Sequence, residues 1–149
     1  MAAVFAKLNL KDQKRITVLN APESFEPELK ALHGIEISRS LKPGGDLDFF
    51  LAFVTKQKEV DALIKPMAAR AKGDAVVWFA YPKRSSKKYK SEINRDSGWR
   101  GLGDAGFEPV RMVAIDEDWS ALRFRRAEFI KTMTRDREHR MSAQAKARK

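Results

Sequence analysis

The sequence predicts a small three-layer α/β domain with a mainly parallel sheet. Continuous apolar runs at residues 15–19, 48–54 and 75–81 have the length and bulk of strands buried on both faces. An amphipathic stretch over residues 56–72 separates two of these runs, as a crossover helix between parallel strands does. The last two apolar segments, residues 107–115 and 121–126, are joined by a few residues around Asp116 to Ser120. That link is too short for a parallel crossover, so the final strand is antiparallel.

Taken in order, residues 1–13 show no clear period and read as an N-terminal arm or a short helix. They lack the basic start, apolar middle and small-residue cleavage site of a signal peptide. Arg15-Ile16-Thr17-Val18-Leu19 is a β-branched run closed by the turn Asn20-Ala21-Pro22. Phe25, Leu29 and Leu32 then follow helical spacing, with Gly34 as the natural stop. Ile35 to Ser38 alternates as a short second strand, and Pro43-Gly44-Gly45-Asp46 makes a turn. After the strand at 48–54, Val60, Leu63, Ile64, Met67 and Ala71 line one helical face, with Pro66 expected to kink or divide the helix. Gly73-Asp74 leads into Ala75-Val76-Val77-Trp78-Phe79-Ala80-Tyr81, which Pro82 ends because proline has no N–H for the ladder. Ser91 is read as the cap of a short helix containing Ile93, and Gly106 precedes the closing hairpin. The class is therefore a small Rossmann-like domain over residues 14–130. A basic tail, 131–149, is read as a loose helix or disordered because Met133 and Met141 are its only large apolar groups.

At 149 residues with 43% hydrophobic content the chain can bury a real core. It has no cysteine, which excludes disulfides and thiolate metal sites. No apolar run approaches the roughly 20 residues of a membrane helix, so no membrane partner and a cytoplasmic location are expected. The net charge of +10 is concentrated in two places. Residues 83–100 hold seven Lys/Arg against Glu92 and Asp96, and residues 131–149 hold seven against Asp136 and Glu138; the remainder is neutral. Such concentration points to a nucleic acid or other polyanion, to a phosphate-bearing ligand, or to solvated charge alone.

In open α/β sheets, ligands lie beyond the carboxyl ends of the strands. Three loops belong there: Asn20 to Pro22, Tyr81 to Lys90, and Asp116 to Ser120. The candidate ligand- or anion-binding residues are Lys83, Arg84, Ser85, Ser86, Lys87 and Lys88 in the middle loop, with Asp116 and Trp119 opposite. A helix starting at Ser91 would add backbone N–H groups suited to a phosphate. The competing reading pairs the loop with Asp116, Glu117 and Asp118 as ordinary surface charge. Trp78 reads as core, Trp119 equally as packing anchor or ligand wall, and Trp99 as an aromatic among basic groups of the kind nucleic-acid binders use. Two lone histidines, His33 and His139, make neither a metal site nor a triad, and residues 73–88 lack a P-loop spacing. No cofactor is expected from these motifs.

Residues 48–126 resemble the second half of the class I methyltransferase fold, through the Gly106-Phe107 step and the hairpin around Asp116 to Arg126. That family binds adenosylmethionine at a glycine-rich turn after its first strand, where this chain has Asn20-Ala21-Pro22-Glu23. Trp78 to Lys83, ending Tyr-Pro-Lys, and the Asp-x-x-Trp-Ser turn at Asp116 to Ser120 are also similar to a bacterial family of small uncharacterised proteins. The leading expectation is a non-enzymatic domain binding an anionic partner through basic loop and tail. The alternative is a degenerate methyltransferase-like enzyme or cofactor-binding protein using the same edge.

Overall fold

The computed structural model describes residues 3–11, 13–41, 47–93 and 98–129. Its strands are β1 (Arg15–Leu19), β2 (Glu36–Ser38), β3 (Leu47–Phe53), β4 (Ala71–Pro82), β5 (Phe107–Ala114) and β6 (Trp119–Arg126). They form one sheet in the order β2-β1-β3-β4-β6-β5. The first four pair in parallel, and β6 is antiparallel to both β4 and β5. The Rossmann-like α/β class read from the apolar runs is the observed one. The tail at 131–149 lies outside the described residues.

Among the described residues four α-helices accompany the sheet: α1 (Ala3–Lys7), α2 (Glu26–Lys30), α3 (Gln57–Arg70) and α4 (Arg100–Asp104). The two-residue period of a strand sends alternate side chains to opposite faces. Phe49, Leu51, Phe53, Val76, Trp78 and Ala80 pack with Val4, Phe5 and Leu8 from the N-terminus and with Phe25 and Leu29. Phe50, Ala52, Val77, Phe79 and Tyr81 pack with Val60, Ile64 and Met67 of α3 and with Trp99 and Leu102. Trp78 is fully buried and donates its indole Nε1–H to the Leu8 carbonyl at 2.7 Å, which ties the N-terminal residues to the centre of the sheet.

Several elements depart from the sequence reading. The α2 region is a 3-10 turn, Glu23–Phe25, followed by one short helix, Glu26–Lys30, beyond which Leu32 still reaches the core alongside Phe25 and Leu29. The α3 helix runs undivided across Pro66. Pro66 and Ala62 both lie on the exposed side, where water can take the carbonyl that proline leaves without an N–H. No helix starts at Ser91. Instead the Ser91 hydroxyl donates to the Ile93 carbonyl and accepts from the Ile93 N–H, a local turn that competes with helix. The helix of this region begins nine residues later, at Arg100. Gly98 is needed there: its φ is +103°, and a Cβ would meet Ile93 Cγ2 at 2.3 Å. Trp99 is 2% exposed and packs against Tyr81, Phe79 and Phe124, with ring centroids 5.3–5.9 Å apart. It is core, and no platform for a base.

Candidate functional site

The strand order reverses between β1 and β3, since the chain steps from β1 to β2 on one side and then to β3 on the other. In such sheets the carboxyl edge at that switch point is the usual ligand crevice. Here the backbone donors of Thr55, Lys56 and Phe25 already have partners. The Thr55 and Lys56 N–H groups donate to Glu59 Oε1 at 2.8 and 3.0 Å, and the Thr55 hydroxyl adds a third bond at 3.2 Å. Burial opposes charge on Glu59, but these donors outweigh it and hold its carboxyl below the usual range. Across the crevice, Asn20 takes the left-handed conformation, φ +58°, Pro22 has no N–H, and the Phe25 N–H returns to the Pro22 carbonyl at 2.9 Å. Phe25 packs at 4.9 Å against Phe53, the last residue of β3. Just past β2, Arg39 is held by Glu26 in a two-pronged pair at 2.8 and 2.9 Å.

The other end of the edge is open. A cavity of about 820 Å³ lies beyond β4, walled by Tyr81 and Pro82, by Met112 of β5 and Ser120 of β6, and by the loop after Pro82. The loop contributes Lys83, Arg84, Ser86, Tyr89, Lys90, Ser91 and Ile93. Two tyrosines, three hydroxyls and three cations thus share one space of a size that suits a small organic ligand. The loop is fastened to the β5–β6 turn. Lys83 N–H donates to the Asp118 carbonyl at 2.7 Å, and the Ser86 hydroxyl donates to Asp118 Oδ1 at 2.8 Å while accepting from Tyr89 N–H at 3.1 Å. Its far end is held by Glu92 N–H on the Thr55 carbonyl at 2.9 Å. Asp118 therefore meets the loop through backbone and hydroxyl, and no ion pair to a lysine is needed.

Of the residues singled out from the sequence, Lys83, Arg84 and Ser86 line this cavity. Ser85, Lys87 and Lys88 are exposed outside it, with Lys88 Nζ 5.5 Å from the Tyr89 ring centroid. Asp116 is a turn-former: its Oδ1 accepts from the N–H groups of Asp118 and Trp119 at 2.8 and 2.9 Å. Trp119 is buried on the opposite face, against Phe53 and Tyr89. The sequence did not single out Tyr81, Tyr89, Lys90, Ile93, Met112 and Ser120 as ligand residues, and it placed Ser91 at this edge only as a helix start. An aromatic among lysines was a signal for Tyr89, whereas Met112 and Ser120 arrive only through hairpin register. Among the described residues no group of three or more His, Asp or Glu could hold a metal, and no helix is long and apolar enough to cross a membrane.

No protein-family model and no curated protein matches the sequence, so the likeness to small uncharacterised bacterial proteins stands on its two motifs. Solved structures do match. A SAM-dependent methyltransferase from Aquifex aeolicus aligns over 83% of this chain and 87% of its own, with 16% identity and a TM-score of 0.57. Magnesium protoporphyrin IX methyltransferase from Synechocystis PCC 6803, solved with bound SAH, aligns over 83% and 78%, with 14% identity and a TM-score of 0.52. The architectural resemblance to class I methyltransferases thus extends beyond the second half of the chain. These neighbours overturn the leading expectation of a non-enzymatic domain for an anionic partner, and its lean away from catalysis, in favour of the methyltransferase-like alternative. The error has a physical source: clustered surface charge reports on solvation and encounter, and not on the fold that carries it. The switch point does not fit adenosylmethionine held in the glycine-turn manner, because Ala21 and Pro22 replace the glycines and the N–H groups of Thr55, Lys56 and Phe25 are already bonded. No reaction step is derived through that cofactor.

Proposed function

We propose that this chain is a degenerate methyltransferase-like enzyme that takes its ligands at the β4–β6 end of the carboxyl edge. The observation that carries the reading is the coincidence of two features. The sheet has the architecture of methyltransferases over most of its length, and the β4–β6 end of its edge has, among the described residues, a cavity of ligand size. The lining supports a small organic substrate with an acidic group. Lys83, Arg84 and Lys90 supply cations, Ser86, Ser91 and Ser120 supply hydroxyls, and Tyr81, Ile93 and Met112 supply apolar walls.

The experiment is calorimetric titration with adenosylmethionine and adenosylhomocysteine, joined to transfer of a labelled methyl group into a panel of small acids. Saturable binding is expected, with a gain of about 2.7 kcal/mol in stability at 100 times the dissociation constant. Absence of both binding and transfer would refute the reading.

A further inference from the structure

On the α1–α2 face, strands β5 and β6 carry three arginines in adjoining register positions. Arg111 pairs with Arg123 across the two strands, and Arg125 follows two residues along β6. Side chains paired in this way share a face, with Cβ atoms about 5 Å apart. Val113 and Ala121, two residues from Arg111 and Arg123, belong to the core on this side, as does Trp78, the β4 partner of Arg123. Met112, which lines the cavity, lies on the other face with its partner Leu122.

Arg125 is matched by Asp74 in a two-pronged pair, its Nε donating to Oδ1 at 2.8 Å and its Nη2 to Oδ2. Glu108, beside Arg125 in register, is 2% exposed and is not among the charges that act on Arg123. Among the described residues, Arg111 and Arg123 have neither a hydrogen bond nor an ion pair. Arg111 is exposed. Arg123 is half-buried, with its Nε out of water and unbonded, while its Nη groups reach the surface. Burial lowers the Arg123 pKa from its ordinary value; Asp74 opposes this, and the like charges of Arg125 and Arg111 add to it. A guanidinium does not shed its proton in a protein, so the cost stands as unrelieved positive charge. A stem laid over Trp78 and Val113 would account for Arg123 alone. It does not account for a second arginine directly opposite, since like charges in that relation are destabilising.

We infer that Arg111 and Arg123 form a site for a phosphate monoester group, whose oxygens accept from the Arg123 Nη groups and the Arg111 guanidinium together. Two unmatched cations favour a doubly charged oxyanion. A phosphate carries about −1.5 to −2 at pH 7 and three strong acceptor oxygens, enough for both forks. A carboxylate has one charge and two oxygens. The site lies across the sheet from the cavity and does not depend on methyl transfer.

The test is an NMR titration of ¹⁵N-labelled full-length protein with inorganic phosphate and with glycerol 3-phosphate, against potassium chloride and potassium acetate at matched ionic strength. The Arg123 Nε–H resonance, identified by its loss in Arg123→Lys, should shift saturably with either phosphate, as should the backbone amides of Arg111 and Arg123. Chloride and acetate should produce no saturable shift. Arg111→Gln, at an exposed position, should weaken phosphate about tenfold through loss of a charge-assisted donor. Arg123→Lys keeps the charge but loses the fork, and should weaken it too. Lys87→Gln with Lys88→Gln removes two charges elsewhere and should leave the affinity at the parent value. Tighter binding of glycerol 3-phosphate would identify an organic monoester as the ligand, and tighter binding of inorganic phosphate the free ion; either supports the site. Shifts that chloride or acetate reproduces, parent affinity in both arginine variants, or an equal loss in the lysine variant would overturn it.

Discussion

The two ends of one sheet edge have been finished in opposite ways. At the β1–β3 switch point, Glu59 collects the free N–H groups of Thr55 and Lys56, and Phe25 and Phe53 fill the space below. At the β4–β6 end, the loop after Pro82 arches over Tyr81 and is fastened at its margins to Asp118 and Thr55, leaving a cavity between. The lesson is that an α/β edge is a ligand site only where its backbone and side-chain donors are not already spent within the chain. Topology names the edge; hydrogen-bond bookkeeping says which part of it is free.

The strongest way to break this comparison is to disturb the floor common to both ends. Trp78 lies between β3 and β6 partners, fully buried and bonded to Leu8. Trp78→Ala should cost about 3–5 kcal/mol in urea unfolding. A loss under about 1 kcal/mol, the range of surface changes, would contradict its central place.

Next comes the closed end. Glu59→Gln should cost about 1 kcal/mol, in the range of lost helix caps, and should change the acid limb. Glu59 has a folded pKa below its unfolded value. Its contribution is therefore full above the unfolded pKa and disappears as pH falls through the folded one. Unfolding measured from neutral pH downward should show a shallower acid loss in the variant than in the parent. An identical acid limb would mean that the carboxylate does not hold the turn.

Much of this fold was legible, for reasons that differ by element. β1, β3 and β4 are buried on both faces, so their β-branched and aromatic runs read directly as strands. The hairpin was legible because a short link forces antiparallel pairing. The helix expected at Ser91 failed because serine also caps turns, and the Ile93 N–H took that option. Trp99 misled because its neighbours in sequence, Arg95 and Arg100, are basic, while its neighbours in space are Phe79, Tyr81 and Phe124. Of the candidate site, the cations of the loop were visible from charge alone. Tyr81 was hidden inside an apolar run, and Met112 and Ser120 reach the cavity only through pairing across β5, β6 and β4.

The open end can be sharpened with smaller changes. Ser86→Ala removes the bond to Asp118 and the acceptor for Tyr89 N–H, and should cost about 1 kcal/mol. Amide exchange at Tyr89 should accelerate while exchange in β3 stays unchanged; equal protection in the variant would show that the loop is held elsewhere. Smallest of all is the effect of Lys87→Glu with Lys88→Glu. Both lysines are exposed outside the cavity, so stability should move by less than about 0.5 kcal/mol. Affinity for a ligand of the cavity should stay near the parent value, whereas Lys83→Glu with Lys90→Glu should weaken an acidic ligand. Equal losses in both pairs would mean that diffuse charge, and not the cavity, does the binding.

The most direct test of the account is a map of where a methyltransferase ligand touches the protein. Adenosylmethionine and adenosylhomocysteine would be titrated into ¹⁵N-labelled protein and the backbone amide shifts followed. The largest shifts are expected at Lys83, Ser86, Tyr89, Ser91, Met112 and Ser120, which line the open end. Shifts confined to Asn20, Ala21, Thr55 and Lys56 would place the ligand at the switch point and contradict it.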